Sequence, residues 1–293
     1  RAGRRNPMSI PGDVQTPWHF RRRYALLGIG LVGLAAAWVL DLSWRGLLPR
    51  GAGFSLWKRF FGAALQPALS YEGSLQISGA TPFLVRVAQS LWATLQLALA
   101  SMGIALVSGL VLGLLASHSF WRLTPGVRGQ GIRLACMLGF RTLSAVLRSV
   151  HELLWAMVLL AAIGLGDTAA LLALAIPFTG ILAKIFSELL DEAPRGPSQA
   201  LQALGCPTGR ALVWARLPIA WPDMAAYAFY RFECAVRSSA ILGFFGFQTI
   251  GYHLELSYSS LHYREVWTQL YALFVVVWVL ERWSSKLRQR VIA

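Results

Sequence analysis

Five ionisable side chains lie inside otherwise apolar stretches: Arg148 and Glu152 in one, and Arg231, Glu233 and Arg237 in another. A charge at the centre of a bilayer costs at least ~2.5–3.5 kcal/mol on insertion scales, so such residues usually face a bundle interior. Within each stretch a Glu and an Arg are four residues apart and share a helix face. Two interpretations stay open: intrahelical ion pairs that ease burial, or the polar lining of an anion pathway in which Arg231 and Arg237 favour the anion.

The sequence lacks the usual motifs of catalysis and of nucleotide or metal binding. No lysine follows a glycine, so the phosphate-binding P-loop is absent. Neither HExxH nor GxSxG occurs, which removes the common signatures of membrane proteases and hydrolases. Cys136, Cys206 and Cys234 are widely spaced and form no paired pattern. We therefore expect no catalytic residue, no metal site and no cofactor bound by this chain itself.

A polar segment, residues 187–218, separates two apolar stretches. Pro197 followed by Ser198 is typical of a helix start with Ser198 as its cap, and Gly205 is typical of a helix end. Such a helix would offer Leu201 and Leu204 for docking into a groove on another protein. An ordinary helix at the membrane surface is the alternative.

The composition shows which kind of fold positions these residues. Of 293 residues, 56% are hydrophobic and only 14% are charged, and the mean hydropathy is +0.54. Soluble domains are about 45–50% apolar and about 25% charged. The chain has too few charges to coat a soluble protein, so the sequence predicts an all-α, polytopic membrane protein.

The apolar runs predict about six transmembrane helices. The predicted spans are residues 24–44, 87–117, 134–165, 168–186, 219–245 and 266–280. Gly109 and Gly113 form a GxxxG pattern, which lets two spanning helices approach closely. Pro177 is expected to kink the fourth span.

The charge distribution predicts the orientation. Lys and Arg number 27 against 13 Asp and Glu, a net charge of +14, and they cluster between the apolar runs. That placement favours the positive-inside rule over nucleic-acid binding, and it puts both termini in the cytoplasm. The remaining regions follow: a cytoplasmic tail at 1–23, an extracytoplasmic segment at 45–86, a core at 87–283 containing the 187–218 segment, and a cytoplasmic tail at 284–293. Met8 offers a native start, so whether residues 1–7 belong to the native protein stays open.

The 187–218 segment resembles the EAA loop of the permeases of binding-protein-dependent ABC importers. In that loop Glu-Ala-Ala is followed by three residues, Gly, nine residues and Ile-x-Leu-Pro. This chain has the corresponding residues Gln199, Ala200, Leu201, Gly205, Ala215, Arg216, Leu217 and Pro218 at the same spacing. Gln199, Leu201 and Ala215 depart from the pattern.

A narrower resemblance, over about residues 148–265, is to the permease subunit of phosphonate importers. It is carried by the stretches 148–156, 164–166, 230–233 with Arg237, 242–243 and 250–251. His151 stands where that family often has Pro. Residues 244–248 stand where it has a Gly-rich stretch, near the expected outer gate.

The resemblance implies the MetI-like type I importer permease fold, with a cytoplasmic EAA-type coupling helix. It implies docking of two ATPase subunits, which would hold the ATP and Mg. The coupling residues would be Gln199, Ala200, Leu201, Leu204, Gly205, Leu217 and Pro218. The pathway would be lined by Arg148, Glu152, Arg231, Glu233 and Arg237.

The resemblance also implies the partners and the cargo. A periplasmic or lipoprotein solute-binding protein would deliver phosphonate or a related phosphorus oxyanion (phosphite or hypophosphite). The permease would then move this anion across the bacterial inner membrane by alternating access. A second copy of the chain, favoured over a related one, and membrane lipid would complete the pathway, with no nucleic acid involved. The alternatives are an ABC permease for another solute, such as an amino acid or other oxyanion, and an ion-gradient transporter or channel. A membrane enzyme is a more distant alternative.

Overall fold

The computed structural model describes residues 18–40, 51–72, 81–123 and 129–292, and every regular element in these residues is helical. We number the α-helices in chain order. They are α1 Trp18–Val39, α2 Ala52–Ala64, α3 Phe83–Ala116, α4 His118–Leu123, α5 Gln130–Ser149, α6 Glu152–Ile163, α7 Asp167–Glu192, α8 Gly196–Ala203, α9 Thr208–Ala211, α10 Leu217–Leu242, α11 Ile250–Ser259 and α12 Tyr263–Ile292. A π-helical turn, Leu212–Arg216, precedes α10, and a 3₁₀ turn, Gly243–Phe245, follows it.

The chain divides into two compact units, residues 1–59 and 60–293. In the first unit, the apolar part of α1 is Tyr24–Val39. It is shorter than the roughly 20 residues that a spanning helix needs. The second unit contains the helical core and all the predicted site residues.

Helices α3 and α7 form the centre of the second unit and pack closely against each other. A Cβ atom added to Gly109 would lie 2.8 Å from Leu182 Cβ, and one added to Gly113 would lie 3.0 Å from Phe186 Cβ. Only glycine fits at such distances, as the GxxxG pattern predicted. Among the largest fully buried side chains, Phe178, Leu174 and Leu182 all lie on α7.

The chain bends by 87° between α5 and α6. The His151 side chain caps α6, because its Nδ1 accepts a hydrogen bond from the Leu153 N–H at 3.3 Å. Gly164, with φ +94°, ends the same helix. The span predicted at 134–165 thus corresponds to a bent pair of helices, α5 and α6.

Helix α11 crosses the end of α10 so closely that backbone atoms of the two segments are in contact. A Cβ atom on Gly251 would overlap the carbonyl oxygen of Ala240, and one on Gly243 would overlap the Tyr252 N–H group. Helix α12 packs against both α10 and α11. Helix α10 also contacts α3, α6 and α7, so it joins α11 and α12 to the rest of the core.

Two of the described helices, α3 and α7, are long and apolar enough to cross a membrane, and α5 with α6 adds a third if the bent pair is one span. The predicted spans five and six correspond to the continuous helices α10 and α12. Both carry charged side chains, which lower their hydropathy, and α12 carries glutamines as well. The all-helical architecture is confirmed, whereas the count of six spans stays a prediction.

Candidate functional site

The predicted coupling helix is α8, Gly196–Ala203. Gly205 ends it with φ +83°, and the Cys206 N–H donates back to the Leu201 carbonyl at 3.0 Å. That is the arrangement by which a left-handed glycine closes a helix. Ser198 is not the cap, contrary to expectation: it lies inside the helix, and its hydroxyl donates to the Arg195 carbonyl at 2.8 Å.

An apolar side chain is exposed at the C-terminal end of α8. Leu204, directly after the helix, is 84% exposed, whereas Leu201 is half-buried. Gln199 and Ala200 are exposed. Most of the residues predicted to contact a partner are therefore accessible on the helix or at its end.

A polar cluster lies beneath α8 and centres on the carboxylate of Asp191. Its oxygens accept hydrogen bonds from the Ser117 hydroxyl at 2.7 Å, the Ser119 hydroxyl at 2.8 Å and the Ser119 N–H at 2.9 Å. The His118 N–H donates at 3.1 Å and Arg141 at 3.0 Å. Asp191 thus joins the junction of α3 and α4 to α5 and α7.

Arg216 is the second charge of this cluster and is only 3% exposed. Its guanidinium donates to the Ser119 hydroxyl, to the Leu190 carbonyl at 3.4 Å and to the Ala193 carbonyl at 3.2 Å. Arg216 ends the π-helical turn, and Leu217 and Pro218 begin α10. The Leu-Pro part of the sequence motif therefore starts a core helix, and Arg216 fastens that start to the end of α7.

A cavity of about 200 Å³ separates part of the polar cluster from α8. Asp191 and Arg216 line it together with Ser198, Gln199 and Gln202. Sequence reasoning missed Asp191, Arg216 and the serines as a group. The available signal was an arginine and an aspartate at the two edges of a segment that joins apolar helices.

The predicted pairing of Arg148 with Glu152 is wrong. The bend between α5 and α6 separates the two residues onto different helices. Glu152 instead accepts a hydrogen bond from the Ser238 hydroxyl of α10 at 2.7 Å, and His151 Nε2 lies 3.7 Å from its carboxylate. Arg148 is exposed and lines a cavity of about 160 Å³ with Arg141, Lys184 and Glu188 among others.

Glu233 pairs with Arg288 of α12 at 3.5 Å rather than with Arg237. The expected intrahelical pair is therefore wrong as well, because α12 brings a cation to the buried face of α10. Glu233 is 5% exposed, whereas Arg237 is exposed. Arg231 places its guanidinium 4.9 Å from the centre of the Phe178 ring, a cation–π contact with α7.

Among the described residues, no group of three or more His, Cys, Asp or Glu side chains is arranged to hold a metal ion. The polar clusters described above are built from charged side chains joined to one another, to hydroxyl groups and to backbone groups. Their chemistry is therefore hydrogen bonding and ion pairing between helices.

Residues 109–281 match the family model described as "Binding-protein-dependent transport system inner membrane component". The matched part begins in the second half of α3 and includes the coupling helix, the polar cluster and most of α12. It leaves out α1 and α2.

Three relatives are similar over much of this region. The phosphate-import permease protein PhnE of Mycolicibacterium smegmatis is 36% identical over 50% of this chain and 28% of its own length. The putative phosphite transport system permease protein HtxE of Stutzerimonas stutzeri is 31% identical over 59% of this chain and 66% of its own length. The phosphite transport system permease protein PtxC of the same organism is 31% identical over 67% of this chain and 68% of its own length.

Solved structures share the fold. The inward-facing MetNI methionine ABC transporter gives a TM-score of 0.60 at 21% identity, covering 72% of this chain and 99% of that one. An amino acid ABC transporter gives a TM-score of 0.58 at 19% identity with the same coverage. The chain therefore belongs to the binding-protein-dependent transport system inner membrane component family, the permease subunits of ABC importers.

Proposed function

We propose that this chain is the transmembrane permease subunit of an ATP-driven importer for phosphonate or a related phosphorus oxyanion. The observation that carries the proposal is α8, a short glycine-terminated helix with Leu204 84% exposed, which lies in the chain between α7 and α10, whose adjoining ends Arg216 fastens together. Because its C-terminal end is exposed and the helix is connected to α7 and α10, a movement of α8 can be transmitted to those two helices. The names of the relatives, phosphite and phosphate-import permeases, support the class of anion.

The mechanism we propose is alternating access. Two ATPase subunits would bind α8 on the cytoplasmic side and hold the ATP and Mg, while this chain supplies no catalytic group. Their closure would move α8 and, through the Asp191–Arg216 cluster, the ends of α3, α5, α7 and α10 as one body. A second copy of this chain would complete the pathway.

In this proposal the chain spans the bacterial inner membrane about six times with both termini in the cytoplasm. A periplasmic or lipoprotein binding protein would deliver the anion from the other side. Arg231 and Arg237 remain candidates to favour the anion and Arg148 a candidate for the pathway lining, while Glu152 and Glu233 serve mainly as contacts between helices. An ABC permease for an amino acid or another oxyanion is the alternative, and it would keep every feature of α8.

Reconstituted proteoliposomes containing the permease, the ATPase and the binding protein encoded beside them test the proposal. We expect ATP-dependent uptake of radiolabelled methylphosphonate, with uptake and ATPase retention both lost in Leu204→Glu. Leu69→Glu is the control, because Leu69 is also exposed and lies in the segment predicted to be extracytoplasmic.

Binding of aminoethylphosphonate, phosphite and phosphate to the isolated binding protein then ranks the possible substrates. Uptake that survives ATP depletion, or a purified chain that never retains an ATPase, would contradict the proposal. Uptake of an amino acid in place of the phosphorus oxyanions would favour the alternative.

A further inference from the structure

A second polar cavity, of about 550 Å³, lies at the N-terminal end of α3. Its lining includes Arg86 and Gln89 from α3, and Gln248, Tyr252 and His253 from the connection after α10 and from α11. Helix α3 is 34 residues long, so about 50 Å separates this cavity from the polar cluster at the other end of the helix. The volume lies within the roughly 300–1,000 Å³ of small-molecule sites.

The chemistry of the lining favours an anion. Arg86 carries a formal positive charge, and none of the described residues that line the cavity is a carboxylate. A guanidinium presents paired N–H donors that match phosphonate and phosphate oxygens. The amides of Gln89 and Gln248 and the Tyr252 hydroxyl add neutral donors. The N-terminus of α3 adds a partial positive charge of its own.

His253 also offers a hydrogen-bond donor to an anion in this cavity. Burial and the neighbouring charge of Arg86 lower the pKa of the His253 imidazole below its ordinary value of 6.5. The ring is therefore neutral at pH 7, when it retains one N–H donor. It contributes a hydrogen bond without adding a second fixed charge.

The two walls of the cavity are held together by buried hydrogen bonds. The Thr94 hydroxyl accepts from the Ile250 N–H at 3.0 Å, and the Ser239 hydroxyl donates to the Thr94 carbonyl at 3.1 Å. The close crossing of Gly251 over Ala240 fixes α11 against α10. The donors on α3 and α11 therefore keep their spacing, which lowers the cost of ordering them around a ligand.

We propose that this cavity binds the phosphorus oxyanion on its way into the permease, with Arg86 as the main contact. The inference rests on the proposed function for the class of anion and for the side of the membrane that the cavity faces. Arg86, Gln89 and Tyr252 hold the anion's oxygens, and His253 donates a further hydrogen bond.

Chemical protection gives a test that does not depend on transport. The purified complex of permease and ATPase is treated with phenylglyoxal, and labelling of each arginine is followed by mass spectrometry with and without millimolar methylphosphonate. We expect at least a threefold slower labelling of Arg86. Arg264 is the matched control: it is also exposed, but it pairs with Glu72 at 3.5 Å, so its labelling rate should not change.

Uptake by variants is the second measurement. We expect Arg86→Gln to reduce methylphosphonate uptake at least tenfold at saturating binding protein, with partial recovery in Arg86→Lys and near wild-type uptake in Arg264→Gln. ATPase stimulation by the binding protein should persist in all three. Equal labelling of Arg86 with and without methylphosphonate in a complex that imports it would overturn the inference and leave the proposed function intact. Protection of Arg86 without any methylphosphonate uptake would retain the site and reject the proposed function.

Discussion

The two polar regions at opposite ends of α3 differ in what their charges contact. At the C-terminal end, Asp191 accepts hydrogen bonds from serines, backbone N–H groups and Arg141, and Arg216 donates to Ser119 and to backbone carbonyls. At the N-terminal end, Arg86 and its polar neighbours line an open volume, and within the described part of the chain no carboxylate pairs with Arg86. Charges that protein groups pair and hydrogen-bond hold helices in place, whereas a charge that faces a cavity without a carboxylate partner is available to a ligand. The comparison agrees with our proposals, in which one end couples to the ATPase and the other binds the anion.

The largest effect is expected from removing Asp191, the centre of the polar cluster at the C-terminal end of α3. Asp191→Ala leaves two serine hydroxyls, two backbone N–H groups and Arg141 without their acceptor. We expect a loss of about 3 kcal/mol of stability, because buried donors stay unsatisfied and an ion pair is broken. Thermal unfolding of the detergent-solubilised protein measures it.

Glu188→Ala is the matched control for Asp191. Glu188 is on the same helix but exposed, and it pairs with Lys184 at 3.2 Å across one helical turn. Exposed pairs of this kind contribute up to about 0.5 kcal/mol. Equal losses in the two variants would mean that the cluster fixes nothing, and the comparison between the two ends would fail.

The next effect concerns the frame of the open cavity. Gly251→Ala places a Cβ against the carbonyl oxygen of Ala240, so α11 must move away from α10. We expect about 2 kcal/mol of destabilisation from this overlap, together with lower methylphosphonate uptake. Gly103→Ala, in α3 with nothing within 4 Å of the added atom, should leave both stability and uptake at or slightly above wild type. Normal uptake in Gly251→Ala would show that the cavity does not need its α11 wall.

The smallest effect is expected at Arg237, an exposed residue of α10. An exposed charge attracts an anion in transit by about 0.5 kcal/mol, which corresponds to roughly a twofold change. We therefore expect Arg237→Ala to reduce methylphosphonate uptake about twofold with the ATPase rate retained. Unchanged uptake would remove Arg237 from the pathway. A reduction larger than that of Arg86→Gln would move the main anion contact from the α3 cavity to α10.

Much of the coupling helix could be predicted because its signals are local. Pro197 and Gly205 mark the two ends of α8 within a few residues, and the left-handed conformation of Gly205 follows from its lack of a side chain. The close approach of α3 to α7 was also visible in Gly109 and Gly113, although the identity of the partner helix was not. Ser198 shows the limit: the helix began earlier than expected, and the hydroxyl turned inward to Arg195.

The pairing of the buried charges could not be predicted from spacing. Glu233 has Arg237 four residues away, yet it contacts Arg288, because α12 runs along the buried face of α10. Glu152 is separated from Arg148 by a bend whose signal, a His151 side chain that caps the next helix, was present but not recognised. The four-residue spacing offers a partner on the same helix, but the packing of the helices decides which charged or polar group lies within reach.

The sequence by itself determined the class of the protein. Its apolar content excluded a soluble coat, its apolar runs predicted spanning helices, and the spacing from Gln199 to Pro218 marked the predicted coupling segment. These properties follow from composition and from residues close together along the chain. The tertiary structure alone decided that Asp191, Arg141, Ser119 and Arg216 form one cluster, and that Arg86 and His253 share a cavity. Charges in a low-dielectric core pair with whatever partner the packed helices bring near, and that choice is made by contacts between distant segments.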